Sequence, residues 1–426
     1  MSIGQNNKLL VPSCLTQLGT FILSITFRLS FHYKSVTLCQ KIKDMKAIHV
    51  CWAVMAIALA SCSGGKKPDA NEYKQETTQF ITCQMPDDLL ASERELKLSE
   101  LADSVWYVPL ETTPQCVLAE KFDHFRYKDN TFYLMDDYSK TVYVFSDKGK
   151  FLRNIGNKGN GPKEFYWCYQ LVVGDRCLYI LDMLNRIKKY DGKGDWIKDI
   201  KLSKQPYRLL ALEDGKLACY ISDEQFPEKE NSYSWLVLNA EGDSLTCINT
   251  NAWRENKTMQ NYWVENEFSA QYPATYKETY NDSLYYFPAG ALKPVPYDSI
   301  HPGIHRLKPD LTWEEAKDVA HGLRISHIYD TPQYLIFNYA CMCTEGVQRT
   351  LLGAFHKETG EFFNVFDYNG EQKITNDLGG PDFTLLACVY PNLLIGVAGA
   401  DACPEEFAKK YQVKEDDNQV LVMIKM

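Results

Sequence analysis

Six times along the chain, a turn pair is followed by a short apolar run. The six are DNTFYLMD (129–136), GDRCLYILD (174–182), DGKLACYIS (214–222), NDSLYYFPA (281–289), TPQYLIFNY (331–339) and PNLLIGVAG (391–399), starting 45, 40, 67, 50 and 60 residues apart. A second run follows each: TVYVF (141–145), RIKKY (186–190), SWLVL (234–238), GIHRL (303–307), LLGAF (351–355) and QVLVMI (419–424). Turns such as SDKGK, DGKGD and NAEGD come next, and then another run, as in FLRNI (151–155), WIKDI (196–200), SLTCI (244–248) and EFFNVF (361–366). A further run precedes each first segment, from FDHFRY through ATYKETY to FTLLACVY. Runs of Val, Ile, Leu, Tyr and Phe bounded by Asp-Gly, Asn-Asp and Pro-Asn pairs read as strands and turns. The chain is therefore all-β, in six units of about four strands. A lone four-stranded meander cannot bury its two faces, but blades stacked radially do so and leave only short edges. A two-sheet sandwich is too small for a recurrence over roughly 300 residues. The predicted fold is a six-bladed β-propeller of four-stranded antiparallel blades.

Such a ring must close. The sixth unit ends with QVLVMI, so it lacks a fourth strand, while SVWYVPL (104–110) and ELKL (95–98) precede the first unit. One of these two is expected to complete the last blade, so that N- and C-terminal strands pair in one sheet.

Residues Met45 to Cys62 read MKAIHVCWAVMAIALASC. Lys46 supplies a basic start, and Ile48 to Ala60 is an apolar stretch too short to span a bilayer but suited to a signal peptide. Leu59-Ala60-Ser61-Cys62 resembles a bacterial lipobox, in which the cysteine is lipidated and becomes the mature N-terminus. A buried first element ending in Cys is the alternative. Ser63 to about Gln79 has a flexible tether composition. Signal peptides start at the N-terminus, so translation is expected at Met45, with 1–44 a gene-model extension. The expected organisation is 1–44 extension, 45–61 signal peptide, 62–90 tether and 91–426 propeller. Aromatic content of 13% and charged content of 24% belong to a globular protein, and a net charge of -9 argues against a nucleic-acid partner. Loss of the leader removes six Lys/Arg and one Asp, leaving the mature chain more acidic still. Fourteen cysteines in 426 residues are not a disulfide-scaffold density. Cys341-x-Cys343 is the one close pair after Cys62, without a second pair to complete a zinc site, so buried free thiols are expected.

Several stretches resemble the six-bladed β-propeller lipoproteins of Bacteroidetes, a family related in form to NHL and TolB-type propellers. They are LSELADS (98–104) with VPLETT (108–113), VFSDKGKFL (144–152), IGNKGNGPKEF (155–165) and DNQVLVMIK (417–425). The resemblance covers about 96–426, and its N-terminal block and glycine-rich segment are the specific parts. Where the family tends to have Pro after Asn418, this chain has Gln419. The resemblance implies a propeller fold, a cell-envelope location with a lipid anchor in the outer membrane, in its periplasmic or surface leaflet, and an association with glycan use. It implies no general activity.

No GxSxG, HExxH or EF-hand loop is present. GNKGNG (156–161) is followed by Pro162 and a strand, not by a helix N-terminus, so it reads as a blade-to-blade crossing, echoed by GGPDF (379–383). His301 and His305 with Asp298 form a loop pair open to metal ligation or simple solvation. His321, Arg324 and His327 precede the fifth unit, where they are suited to acid–base work at a channel mouth or to ordinary packing. Asp136-Asp137 and Asp416-Asp417 read as solvated turn charges. Phe165, Tyr166, Trp167 and Tyr169 lead into the second unit; Trp253, Tyr262, Trp263 and Phe268 lie in the long 249–280 stretch. Flat aromatic faces on loops bind sugar rings and anchor protein interfaces, and propellers also need them between blades. The candidate ligand-binding residues are Tyr166, Trp167, Tyr262, Trp263, His321 and Arg324. No metal or cofactor is expected, and no catalytic set is assigned.

The sequence reading is a propeller anchored to the membrane through Cys62 that binds a ligand or scaffolds partners, a glycan or an envelope protein. A glycan lyase or hydrolase at the channel mouth, and a structural subunit of an outer-membrane complex, are the competing classes; fold alone does not separate them. Mass analysis of the mature N-terminus is expected to find a lipidated Cys62; Ser2 or a neighbour at that position overturns the leader assignment.

Overall fold

The computed structural model describes residues 80–426 except 120–121, 137, 184, 222–232, 250–266, 270–274, 279–280, 306–322, 343–347, 367–368 and 390–391. The described chain opens with three short strands, β1 (Thr82–Gln84), β2 (Glu93–Arg94) and β3 (Ser104–Pro109), with a one-turn helix α1 (Leu98–Leu101) before the third. Six sheets follow. Blade one holds β4 (Phe122–Lys128), β5 (Thr131–Asp136), β6 (Val142–Ser146) and β7 (Phe151–Ile155); blade two holds β8 (Gln170–Val173), β9 (Cys177–Asp182), β10 (Arg186–Asp191) and β11 (Trp196–Lys201). Blade three is β12 (Arg208–Ala211), β13 (Leu217–Tyr220), β14 (Trp235–Leu238) and β15 (Ser244–Ile248); blade four is β16 (Glu267–Ser269), β17 (Thr275–Lys277), β18 (Ser283–Tyr286) and β19 (Val295–His301). Blade five is β20 (Arg324–Asp330), β21 (Tyr334–Met342), β22 (Gln348–His356) and β23 (Phe362–Val365). Blade six takes β24 (Thr384–Val389), β25 (Leu393–Ala398) and β26 (Val420–Lys425) from the C-terminal end, and its outermost strand is β3. The six inner strands, β4, β8, β12, β16, β20 and β24, contact one another in cyclic order. The fold is the six-bladed propeller that the repeat predicts.

Closure comes from SVWYVPL. β3 and β26 pair antiparallel over six residues, from Val420 opposite Pro109 to Lys425 opposite Ser104. The preceding chain runs along the outer rim instead. β1 adds a fifth, parallel strand to blade four, and β2 does the same for blade five. β1 lies inside the stretch 62–90 whose composition reads as tether. Its attachment uses Asp298, which accepts a hydrogen bond from the Ile81 amide (3.1 Å), and His305, whose ring nitrogen lies 3.0 Å from the Pro86 carbonyl oxygen.

Each gap between blades has its own apolar core, because alternate residues of one strand face opposite neighbours. In β26, Leu421 and Met423 pack toward blade one, while Val422 and Ile424 pack toward blade five. The same alternation sends Phe132 and Leu134 of β5 to blade six, and Met135 to blade two. Both faces are buried, so these strands read as continuous apolar runs. The gap between blades three and four is closed by rings: Trp235 meets Tyr276 at 4.7 Å and Phe287 at 5.5 Å between centroids. Helix α2 (Glu405–Tyr411), between β25 and β26, packs Phe407 against Tyr107.

Blade four departs from the sequence reading by one strand. ATYKETY carries the second strand, not the first, and GIHRL is not a strand: Gly303–His305 is a 3-10 turn after β19. The apolar residues of blade four are few and separated by Pro and Asp, as in VPYDSIH, so its strands carry the weakest pattern of the six.

The outer hairpins of blades one to three lock each of these blades to the one before it. Gly149, Gly194 and Gly242 sit in the β6–β7, β10–β11 and β14–β15 turns. A Cβ on Gly149 would run into the Pro109 carbonyl oxygen of blade six; on Gly194 it would stand 2.7 Å from Ile155, and on Gly242 2.7 Å from Ile200. Glu111, just after β3, donates its amide to the Gly149 carbonyl (2.8 Å) and accepts from the Phe151 amide (2.9 Å), so this lock ties the closed blade to blade one.

Two tests follow from closure. Removal of the last eight residues is expected to abolish cooperative unfolding of the whole ring, and an unchanged melting transition contradicts the β3–β26 closure. Gly149 and Gly360 share φ +74, but nothing lies within 4 Å of a Cβ at Gly360. Gly149→Ala is expected to cost about 2 kcal/mol or more and Gly360→Ala only about 1 kcal/mol by chemical denaturation; equal losses argue against the lock.

Candidate functional site

Inner strands begin, and second strands end, at the same end of an antiparallel blade. That end therefore carries the loops between blades and the loops joining second to third strands. Over blades one to three it presents a group of exposed rings: Tyr138 (92% exposed) before β6, Tyr166, Trp167 and Tyr169 before β8, and Tyr207 before β12. Phe165, the first ring of the FYWCY run, is fully buried between blades one and two, as is its counterpart Phe383 between blades five and six. The two uses of loop aromatics are thus split within one run: Phe165 packs, and the next rings face outward.

A buried carboxylate holds the exposed rings in place. Asp182, at the end of β9, is fully buried. Its Oδ1 accepts the amides of Tyr166 (3.0 Å), Trp167 (2.9 Å) and Met183 (2.8 Å), and its other oxygen pairs with the Arg186 guanidinium. Charge-assisted bonds of this kind are the strong ones, and here they fix the part of the loop whose rings face outward. Asp136 does the same at the end of β5. It is 1% exposed and accepts from the Ala119 and Ser139 amides, both at 2.6 Å, which corrects its reading as a solvated turn charge.

The glycine-rich crossing 156–161 is filled by its own carboxylate. Glu164 accepts the Gly161 amide at 2.7 Å, and burial of Lys188 brings its ammonium to the Pro162 carbonyl (2.9 Å) and to Asp199 (2.9 Å). Gly156 has φ +61, as a tight crossing needs. An acid already occupies the amides that a phosphate would seek.

Beside the exposed rings lies a group of basic side chains that sequence reasoning missed. His124 of β4 bonds the Cys168 backbone, one residue from Trp167, and the positive charges of Arg126, Arg208 and Lys140 act on its imidazole. Burial, aided by those charges, pushes its pKa down to about 3. The Lys140 ammonium stands 5.2 Å from the centre of the Trp167 ring. Arg208 opens β12 and donates to the Tyr207 carbonyl (3.0 Å). The four residues are 124, 126, 140 and 208 in sequence, on two inner strands and one loop, and no local pattern links them.

Tyr166 and Trp167 thus stand together at this end. Arg324 opens β20 on blade five, across the ring from blade two, and is not part of the group. His327 stacks on Tyr329 at 6.5 Å. Tyr262, Trp263, Trp253, His321, Cys62 and Cys343 lie outside the described residues. His301 is 3.7 Å from Asp282, while Asp298 and His305 hold the N-terminal strap. Among the described residues no three His, Cys, Asp or Glu side chains gather as a metal site. The cysteines whose side chains are described are free thiols, and burial pushes Cys83, Cys116 and Cys388 up to about 12, which suits packing rather than reactivity. No helix among the described residues is long and apolar enough to cross a membrane.

Ring, locks and strap define a six-bladed propeller with a self-attached N-terminal strand. Residues 81–425 match the family described as domain of unknown function DUF4934, and the chain belongs to that family. A structure of a Bacteroides fragilis protein described as exported is similar with TM-score 0.58 and 16% identity, covering 82% of this chain and 99% of that one. A DUF4221 family member from Bacteroides vulgatus aligns with TM-score 0.45 and 12% identity, over 76% of this chain and 96% of that one. No curated protein matches the sequence.

His124 makes folding depend on pH. Its pKa is about 3 in the folded chain against 6.5 for an unperturbed imidazole. Below pH 6.5 the unfolded chain takes up a proton that the folded chain excludes. Its contribution is present above that pH and is lost on acidification, at up to about 1.4 kcal/mol per pH unit. His124→Gln is expected to flatten the stability profile between pH 6 and pH 4, relative to the parent, by roughly that slope. An unchanged slope overturns the assignment.

Proposed function

We propose that this protein is a lipid-anchored cell-envelope module that binds a ligand or partner with the loop end of blades one to three. The carrying observation is the set of outward rings at Tyr138, Tyr166, Trp167, Tyr169 and Tyr207, two of them fixed through backbone bonds to the buried Asp182. Exposed tyrosine and tryptophan on a rigid frame bind sugar rings and protein surfaces at little entropic cost. The lipobox-like Leu59-Ala60-Ser61-Cys62, together with resemblance to propeller lipoproteins, supports anchoring in the outer membrane, in either leaflet. A likeness to an exported Bacteroides protein is consistent with that address. The same resemblance supports a glycan or an envelope protein as partner.

His124 itself is poorly suited to act as a general base. An imidazole whose pKa falls to about 3 is a weak proton acceptor near neutral pH, whereas an efficient general base is matched to it. A glycan lyase or hydrolase at this mouth would draw its base from another residue.

The test is a thermal-shift screen of the full chain against plant and host glycans, peptides and divalent metals. A ligand at about 100 times its Kd adds roughly 2.7 kcal/mol. The expected result is a hit without turnover that is lost in a Tyr166→Ala/Trp167→Ala double variant whose own melting is unchanged. A hit that the double variant keeps overturns this placement, and turnover of the hit moves the protein to the enzyme class.

A further inference from the structure

The N-terminal strap shows what the outer edge of a blade takes. In blade five the hairpin-closing pair is Phe355 with Phe362, and two positions back along β22 Gly353 faces Asn364. The Asn364 amide donates to the Ser92 carbonyl (2.8 Å) and its side-chain amide to the Leu89 carbonyl (2.6 Å). An extended segment thus lies parallel to the edge, and Asn364 is fully buried beneath it. In blade one the closing pair is Phe145 with Phe151, and two positions back along β6 Tyr143 faces Asn154. Here no strand covers the edge among the described residues, Asn154 is exposed, and its side chain has no hydrogen-bond partner among them. The bulge in β7 is no obstacle, because β19 carries the same one under β1. Its extra residue, Tyr297, is 8% exposed in a core shared with Cys83 and Met85 of the strap, whereas Leu152, the extra residue of β7, is 48% exposed.

Charge singles out blade one. Residues 147–164 hold five Lys or Arg and two Asp or Glu, in a chain whose net charge is -9. In blade two, residues 191–201 balance three Lys with three Asp, and Asp199, in the place of Asn154, is held by Lys188 and the Trp196 indole N–H, both at 2.9 Å. In blade three, residues 239–248 carry two acids and no base. Around β7, Lys150 pairs with Glu111 and Lys163 with Asp195. Lys148 before the strand and Lys158 after it are exposed and pair with no carboxylate among the described residues. We propose that the outer edge of blade one binds an extended segment of a partner protein, which adds to β7 as a parallel fifth strand. The segment alternates apolar and polar residues and is flanked by Asp or Glu. Strand addition of this kind takes its affinity from backbone bonds and its selectivity from alternate side chains. Asn154 receives the segment as Asn364 receives the strap, Leu152 takes an apolar side chain, and the flanking acids meet Lys148 and Lys158. The chain's own strap already lies along blades four and five, so the occupant comes from another protein.

The experiment is a selection of random linear peptides against the full chain, followed by fluorescence polarisation with the best binder. The selected peptides are expected to alternate apolar with polar residues and to carry Asp or Glu at their ends. On binding, amide hydrogen exchange is expected to slow within residues 147–157 and to stay unchanged at residues 166–169. Leu152→Lys is expected to abolish binding, because a charge on an edge strand opposes an added strand. Lys148→Glu combined with Lys158→Glu is expected to weaken binding roughly tenfold. All three side chains are exposed, so the melting temperature is expected to hold; if Leu152→Lys lowers it, the double charge variant decides. The Tyr166→Ala/Trp167→Ala variant is expected to keep the peptide, which separates this edge from the ring-bearing end. Failure to select any peptide overturns the proposal, as does protection outside the β7 edge or unchanged binding in the double charge variant. Equal binding of a peptide scrambled to lose the alternation at the same charge overturns it as well.

Discussion

Two faces of every blade are apolar, and neither can be left in water. This constraint organises the whole molecule. Each of the six gaps is filled from both sides, so removal of one blade would expose two others, and the set is stable only as a ring. The antiparallel pairing of β3 with β26 is where that ring is joined. Every inter-blade core, including the Trp235–Tyr276–Phe287 cluster far from the junction, depends on that single sheet staying closed. In blades one to three the glycine-bearing hairpins then bring a bare backbone against the preceding outer strand.

Where a strand is buried on both sides, its sequence is a plain apolar run, and VLVMI or CLYILD could be read directly. The closing strand was also legible, because SVWYVPL is a spare strand and QVLVMI lacks a partner. Blade four was misread for the same physical reason in reverse: VPYDSIH interrupts its apolar residues with Pro and Asp, and part of its stability comes from β1, more than 200 positions away along the chain. The outer edge of that blade is completed by a distant partner, which local pattern does not carry.

The binding end shows a similar division. Tyr166 and Trp167 stood out as loop aromatics, yet nothing local separates them from Phe165, which packs inside. What separates them is Asp182, whose carboxylate turns the next two amides inward and so their rings outward. The basic group was not legible at all. His124, Arg126 and Lys140 belong to blade one and Arg208 to blade three, and a charge list ordered by residue number scatters them among the many lysines and arginines of an acidic chain.

The N-terminal strap gives the ring a mechanical order of failure. Tension applied to the chain ahead of Phe80 reaches β1 first, three residues laid along the rim of blade four, and then β2, two residues on blade five. Peeling them draws Cys83, Met85 and Leu89 out of the core between blades four and five, and Leu96 out of the core between blades five and six, but breaks none of the β3–β26 pairs. Only after both have gone does load arrive at β3, where six paired residues share it. The rim strands thus act as successive weak links in series, and they shield the junction from whatever pulls on the front of the chain.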